Sequence, residues 1–378
     1  LHKKILITGG AGFIGAHLAN ELLAKGYHVR VLDELLEQVH GATTSPSSSA
    51  KYHPSYLNPA VELIKGSVCN PSAVRYACAD IDVVYHLAAR VGVGQSMYDV
   101  VNYTETNNRG TAVLLEALIA RPVERLVVAS SMSVYGEGLY QRRDGAVVSG
   151  HERPLEQLRA GRWQLYDDDG DLLLPLPTPE TKAPTLASVY ALSKYDQERM
   201  CLIIGRAYNI PTVALRFFNV YGPHQALSNP YTGVLAIFAS RLLNHKAPLI
   251  YEDGYQQRDF VHVRDVAQAC RLAMETPGID GEVFNVGSGQ AYTVLELAER
   301  LAAVMGKAIA PEVTGKYRQG DIRHCFADIT KACEQLHYRP RISLDEGMAE
   351  LANWLEGQIA IDQITQANRE LERRGLTV

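Results

Sequence analysis

The sequence predicts an α/β protein built on a doubly wound parallel sheet, and three observations carry that reading. A short apolar run, Lys4-Ile-Leu-Ile-Thr8, leads into a glycine-rich turn, Thr8-Gly-Gly-Ala-Gly-Phe-Ile-Gly15, and then into a helical pattern. Similar short runs recur down the chain with helical periodicity between them. The length of 378 residues suffices for one large α/β domain plus a smaller lobe, or for two ordinary domains.

Apolar positions at Phe13, Ile14, Leu18, Leu22 and Leu23 place a helix over 12–25, and His28-Val-Arg-Val-Leu-Asp33 is the next strand. Together with the first run these make a β-α-β unit. Ser, Thr and Pro crowd 41–59 and predict a loose surface loop. Strands follow at Val61-Glu-Leu-Ile-Lys65, Asp82-Val-Val-Tyr-His-Leu87 and Arg125-Leu-Val-Val-Ala-Ser130. After Tyr135-Gly136 the alternation breaks. Residues from about 138 to 183 are polar and proline-rich, with Asp167, Asp168, Asp169 and Asp171 together and Trp163 as an isolated anchor. A stretch that long is expected to be functional or to form a small subdomain. The pattern resumes with a helix carrying Tyr190 and a strand, Thr212-Val-Ala-Leu-Arg-Phe-Phe218. Segments 234–246, 248–251, 293–306 and 343–357 read as a smaller C-terminal α/β lobe stitched back to the sheet. The expected division is therefore 1–222 for a dinucleotide-binding domain, and 223–378 mainly for a substrate lobe. No internal repeat is evident.

Composition narrows the partners. Apolar content of 47%, charged content of 21% and a net charge of −5 fit a soluble globular protein. They give no reason to expect nucleic acid or an anionic membrane as a partner. The cysteines at 69, 78, 201, 270, 325 and 333 contain no C-x-x-C pair, so neither a disulfide framework nor a metal knuckle is expected. No apolar run approaches the roughly 18 residues of a membrane span. A strand beginning at Lys4 leaves no room for a signal peptide, and a cytoplasmic location is expected.

Gly9, Gly12 and Gly15 follow a strand and open a helix in the order G-x-x-G-x-x-G. Small residues there let the backbone approach a pyrophosphate, and the free amides of the helix N-terminus can hold it. A plain tight turn is the alternative, and the context at both ends favours a dinucleotide. Phe13 and Ile14 belong to the same turn. Asp33, at the end of the second strand, can accept hydrogen bonds from both ribose hydroxyls and would repel a 2′-phosphate. NAD is thereby favoured over NADP, although Arg30 lies close enough in sequence to rescue NADP. Leu87, Ala88 and Ala89 close another strand and are expected beside the dinucleotide, with simple strand packing as the alternative.

Tyr190 and Lys194, four residues apart, share a helix face. A solvated surface is the ordinary explanation of that spacing; the glycine turn and Ser131 turn it toward oxidoreductive chemistry. A tyrosine titrates near pH ~10, and making it a base near neutrality takes about 4 kcal/mol of preferential anion stabilisation. One cation at about 4 Å in an effective dielectric of about 20 supplies a comparable amount. Lys194 and a positive nicotinamide are the expected sources.

These motifs, with Ser130-Ser-Met-Ser-Val-Tyr-Gly136, Arg216-Phe-Phe-Asn-Val-Tyr-Gly222 and Phe284-Asn-Val-Gly287, resemble the extended short-chain dehydrogenase/reductases acting on nucleotide sugars. The resemblance covers nearly the whole chain. It implies a Rossmann-type fold, bound NAD, Ser131, Tyr190 and Lys194 as catalytic residues, and Asn107 as a structural asparagine near the active site. It also implies Asn219, Arg258 and Arg318 at the nucleotide diphosphate of the substrate. Two departures stand out. Gly66-Ser67-Val68 carries Ser67 where the family usually has the aspartate that contacts adenine, and Glu34 stands where asparagine is common.

Relatives that dehydrate or decarboxylate the sugar carry acidic residues directly after the serine. Here those positions are Met132 and Ser133, which can neither donate nor accept the proton that elimination needs. Epimerisation or ketone reduction remains, and implied NAD favours an epimerase that recycles its cofactor. Gly92-Val-Gly-Gln-Ser-Met97, Gln225-Ala-Leu-Ser-Asn-Pro-Tyr-Thr-Gly233 and Asp253-Gly-Tyr-Gln-Gln-Arg-Asp-Phe-Val-His-Val-Arg264 are most similar to dTDP-L-rhamnose 4-epimerases. UDP-galactose or UDP-glucuronate 4-epimerases, a 4-keto-sugar reductase and a silent NAD-binding sensor are the alternatives. The group's frequent cysteines in the long insertion are missing between Cys78 and Cys201, so no metal is expected there. By the same resemblance, helices at 99–120 and 187–208 are the pairing surface of a homodimer.

Overall fold

The computed structural model describes residues 3–40, 53–231, 233–318, 320–358, 360, 362 and 364–377. Its centre is a sheet of seven parallel strands: β1 (Lys4–Thr8), β2 (His28–Asp33), β3 (Glu62–Lys65), β4 (Val83–His86), β5 (Arg125–Ser131), β6 (Thr212–Phe217) and β7 (Val283–Val286). They lie in the order β7-β6-β5-β4-β1-β2-β3. The order reverses between β1 and β4, and a doubly wound sheet binds its ligand in the crevice at that point. β4, β5 and β6 are buried along their whole length. That is why each reads as an unbroken apolar run and not as an alternating one.

Helices cover both faces. On one side α1 (Phe13–Ala24) and α2 (Val263–Glu275) pack together over a core that includes Ile5, Val31, Tyr85, Val127 and Phe284. On the other, the helix Gly110–Ala120 and the long helix Val189–Ala207 cover Leu6, Val84, Leu126 and Ala214. The segment expected as one helix over 99–120 is interrupted. Val100–Tyr103 is α-helical, Thr104–Arg109 widens into a π-turn, and Gly110–Ala120 resumes the α-helix. The π-turn contains Asn107, whose side chain is tied to neighbours from two other segments. A local widening of this kind often marks a functional position.

Residues after 222 serve both lobes. α2 and β7 belong to the central sheet and its cover, whereas Val234–Leu243, Val294–Val304 and Leu344–Leu355 pack around a separate core of Phe238, Leu242, Leu301, Met348 and Leu351. The insertion is a subdomain of its own, with antiparallel strands Leu139–Gln141, Val147–Ser149 and Leu174–Leu176. Its apolar centre is small, essentially Tyr140, Leu165 and Leu173. Ion pairs anchor it instead: buried Arg153 meets Glu252 at 2.8 Å, and buried Arg323 meets Glu252 at 2.9 Å and Asp253 at 2.6 Å.

Of the loop expected over 41–59, residues 41–52 lie outside the described ones. The remainder is not loose. Leu57 is buried, and the Tyr56 hydroxyl donates to the Ala11 carbonyl in the glycine turn at 2.8 Å.

Candidate active site

The strand ends of the central sheet open into one cavity of about 670 Å³ that runs on between the two lobes. At one end stands the glycine turn. Gly9 has φ +68°, and a β-carbon there would come within 2.8 Å of the Ala88 backbone. A β-carbon on Gly15 would lie 2.5 Å from Gly10 Cα, so this glycine lets α1 pack against the turn. Gly12 meets only the Gly9 carbonyl, at 3.2 Å. No side chain caps the helix, and Gly9, Gly12, Phe13, Ile14 and Gly15 all line the cavity. Uncapped amides beside an open glycine fit a pyrophosphate.

Asp33 lines the same end. One carboxylate oxygen accepts from Ala11 N at 3.0 Å and the other from Leu35 N at 2.8 Å, with His40 Nε2 3.3 Å from the second. These contacts fix its orientation while each oxygen retains accepting capacity. Arg30 does not rescue a 2′-phosphate: its guanidinium is bound to Glu62 at 2.9 Å and to the carbonyls of Ala77 and Ala79. Leu87, Ala88, Ala89 and Val68 line the cavity, and so does Glu34. Ser67 does not. Its hydroxyl accepts from Cys69 N at 3.3 Å, closing a local turn, so the expected adenine contact is not brought to the wall.

Ser131, Tyr190 and Lys194 meet in the middle. Ser131 ends β5, and its hydroxyl caps the following 3-10 turn by accepting from Ser133 N at 3.2 Å. Ser188 caps the long helix, and Ser96 Oγ accepts from Tyr190 N at 3.0 Å, which fixes the first turn. Burial pushes the Tyr190 phenol above its ordinary range, and the Ser131 hydroxyl beside it pulls in the other direction. The Tyr103 ring meets Tyr190 edge-on at 6.5 Å.

Lys194 departs from expectation. Its ammonium donates to Gln197 Oε1 at 2.7 Å, not to Tyr190, and burial pushes its pKa down to about 8. Gln197 belongs to a buried polar cluster: its amide nitrogen lies 2.9 Å from Thr111 Oγ1 and 3.1 Å from His86 Nε2. Thr111 donates to the Asn107 carbonyl. His86 is neutral, with its pKa pushed down to about 3 by burial and by the Lys194 cation. Its Nε2 lies 2.8 Å from Thr111 Oγ1 and its Nδ1 2.8 Å from Thr8 Oγ1. Asn107 does not reach the cavity. Its amide ties Arg90 N at 2.7 Å to Ser193 Oγ at 2.9 Å, and Ser193 donates to the Tyr190 carbonyl. Its role is positioning, not cofactor contact.

At the far end Asn219, Arg258 and Arg318 all line the cavity. Asn219 donates to the Asp259 carbonyl at 2.9 Å. Arg258 Nη1 serves the carbonyls of Gln257 and Arg323, both at 2.9 Å, so much of its donor capacity is already taken. Arg318 lies over the Tyr251 ring at 4.8 Å and pairs with Asp321 at 3.3 Å, while its buried Nε has no partner. Met132 and Ser133 stand beside Ser131 as the sequence indicates. The carboxylates among the described lining residues are Asp33, Glu34 and Asp321, at the two ends of the cavity. Among the described residues no group of three His, Cys, Asp or Glu could hold a metal ion, and no helix is long and apolar enough to cross a membrane.

Residues 5–157 and 164–287 match the model of the NAD dependent epimerase/dehydratase family. The chain belongs to that family. A dTDP-L-rhamnose 4-epimerase of Burkholderia thailandensis is 36% identical over 363 residues, covering 94% of this chain and 96% of its own. The crystal structure of a UDP-glucose 4-epimerase from Thermotoga maritima with UDP-glucose superimposes with a TM-score of 0.74 at 32% identity, covering 94% of this chain and 99% of that one. A UDP-glucuronic acid 4-epimerase from Bacillus cereus, in complex with UDP-glucuronic acid and NAD, does so with a TM-score of 0.71 at 29% identity, again over 94% and 99%. The protein is an NAD-dependent enzyme of the sugar-nucleotide epimerase type, on a Rossmann-type fold.

Sequence reasoning missed three contributors to this family member's site. Gln197 holds Lys194, Ser96 holds the Tyr190 amide, and the C-terminal helix Ile364–Arg373 lines the cavity. Only the helix left a usable signal: Ile364, Ala367 and Leu371 recur at helical spacing.

Proposed function

We propose that the enzyme is a nucleotide-sugar 4-epimerase interconverting dTDP-L-rhamnose and dTDP-6-deoxy-L-talose. The observation that carries the reaction type is the setting of Tyr190. Ser131 is followed by Met132 and Ser133, and every carboxylate among the described lining residues stands at an end of the cavity. Elimination or decarboxylation chemistry then lacks an acid–base partner, and proton transfer at one hydroxyl is what the site can do. The choice of sugar is supported by the similarity to the Burkholderia enzyme.

Bound NAD supplies a hydride acceptor and donor at the sugar carbon. Ser131 hydrogen-bonds the C4 hydroxyl. Tyr190 takes its proton during oxidation and returns it during reduction, and Lys194 supplies positive charge that favours the phenolate. Arg318 Nε, buried without a partner, and the free donors of Arg258 face the diphosphate, with Asn219 beside them.

Val101, Leu192 and Ile203 are 78%, 46% and 55% exposed on the two helical segments expected to pair. That apolar exposure supports a homodimer, and light scattering on the purified enzyme tests it.

Separate incubations with dTDP-L-rhamnose, UDP-galactose and UDP-glucuronate, followed by NMR, test the substrate. Conversion of the dTDP sugar without net formation of NADH is expected. Conversion of a UDP sugar alone would replace the substrate, and stoichiometric formation of NADH with the 4-keto sugar would replace an epimerase by a reductase running in reverse.

A further inference from the structure

The last helix of the described chain, Ile364–Arg373, carries Ile364, Ala367, Asn368 and Leu371 at positions i, i+3, i+4 and i+7. That spacing puts them on one face. All four line the cavity. The opposite face is charged, with Glu370 paired to Arg373 at 2.9 Å and to Arg374 at 2.6 Å. An amphipathic helix normally turns an apolar stripe to a core. Here the stripe faces the ligand cleft and is broken by one amide.

The helix is pinned to both sides of that cleft. Toward the catalytic side, a β-carbon on Gly94 would touch the Leu371 δ-carbons at 3.5 Å, and the Arg374 guanidinium lies 4.4 Å over the Tyr98 ring. Gly94 sits in the short helix Val93–Ser96, whose Ser96 accepts from Tyr190 N. Toward the other side, Lys316 pairs with Glu372 at 2.6 Å, and Thr377 bridges to Arg318. The helix therefore spans from the segment that holds Tyr190 to the arginine assigned to the diphosphate. A sugar ring joined to that diphosphate and reaching Tyr190 would lie in the cavity that this helix lines.

Asn368 has no side-chain hydrogen-bond partner among the described residues, and its neighbours on the stripe, Ala367 and Leu371, offer none. We infer that the C-terminal helix forms the wall that reads the sugar, with Asn368 as a substrate-binding residue that hydrogen-bonds a ring hydroxyl. This rests on the nucleotide-sugar reading given above.

The test compares the full-length wild type with Asn368→Ala and Asn368→Gln, each loaded with NAD, by calorimetric titration with dTDP and with dTDP-L-rhamnose. Asn368→Ala is expected to bind the sugar nucleotide about tenfold more weakly, the scale of one hydrogen bond with an unpaired partner. Affinity for dTDP, thermal midpoint and NAD content should stay at wild-type values, and Asn368→Gln should recover part of the loss. Equal weakening of both ligands, or no weakening of either, would overturn the assignment. A wild type that binds dTDP-L-rhamnose without epimerising it removes the proposed activity, yet leaves the contrast between sugar nucleotide and nucleotide fully readable.

Discussion

The Lys194 ammonium donates to the Gln197 amide oxygen at 2.7 Å, three residues along the same helix. Gln197 is in turn held by Thr111 and His86, so the Lys194 ammonium is oriented by residues from β4 and from the helix after the π-turn. Gln197→Leu removes the acceptor from a fully buried ammonium whose pKa already lies near 8. A hydrogen bond to a charged group is worth about 1.5–3 kcal/mol. The Lys194 pKa should fall further, leaving less positive charge beside Tyr190 near neutrality. The acidic limb of the kcat–pH profile is expected to move up by about one pH unit, with kcat at neutral pH reduced at least tenfold. A lowered kcat with an unmoved limb would mean that Gln197 serves packing alone.

Arg323 is fully buried between Glu252 and Asp253, and Glu252 also holds Arg153 of the insertion. Removing one partner of a buried pair leaves the others uncompensated, at a cost of about 3–5 kcal/mol. Arg323→Met should lower stability by that order in urea unfolding and release the insertion to proteolysis. Wild-type stability would show that hydrated alternatives satisfy Glu252 and Asp253.

Acid stability follows from three histidines kept neutral by burial. His86, His262 and His324 have pKa values pushed down to about 3, so the unfolded chain binds three more protons than the native one between that range and their ordinary values near ~6.5. Each proton costs the native state about 1.4 kcal/mol per pH unit as the solution is acidified. Asp259 opposes this: its pKa, raised to about 6 by burial, makes the native state bind the extra proton on the acid side. Among these four groups the histidines outweigh Asp259, which predicts stability falling from about pH 6.5 toward 4. Urea unfolding across that interval checks the slope, and a flat profile would contradict the burial of neutral histidines.

Much of this was legible because each piece was local. The strands are continuous apolar runs, the glycine turn sits between a strand and a helix, and Ser131, Tyr190 and Lys194 lie in short motifs. What escaped was assembled from a distance. Gln197 matters only because residues 86 and 111 arrive beside it, and a glutamine three positions after a lysine carries no signal of that. The π-turn at 104–109 leaves no mark in a sequence that reads as ordinary helix, because its cause, Asn107 bound to Arg90 and Ser193, is tertiary. The length of the insertion points to a small subdomain, but its strands leave little pattern in the sequence, since its core is three side chains and its hold is ionic. Ser67 failed for the converse reason: a motif position was assigned a ligand, and the side chain turned back to its own turn.

In the proposed reaction Tyr190 and Ser131 serve a reversible oxidation at C4 of a dTDP-6-deoxy sugar. Incubation of the wild type with dTDP-L-rhamnose in D2O, followed by proton NMR, tests it most directly. Because the proton moved by Tyr190 comes from oxygen and the hydrogen at C4 does not exchange with water, the product should have inverted C4 and retain protium there. An inverted product carrying deuterium at C4, or a sugar left unchanged, would contradict the account.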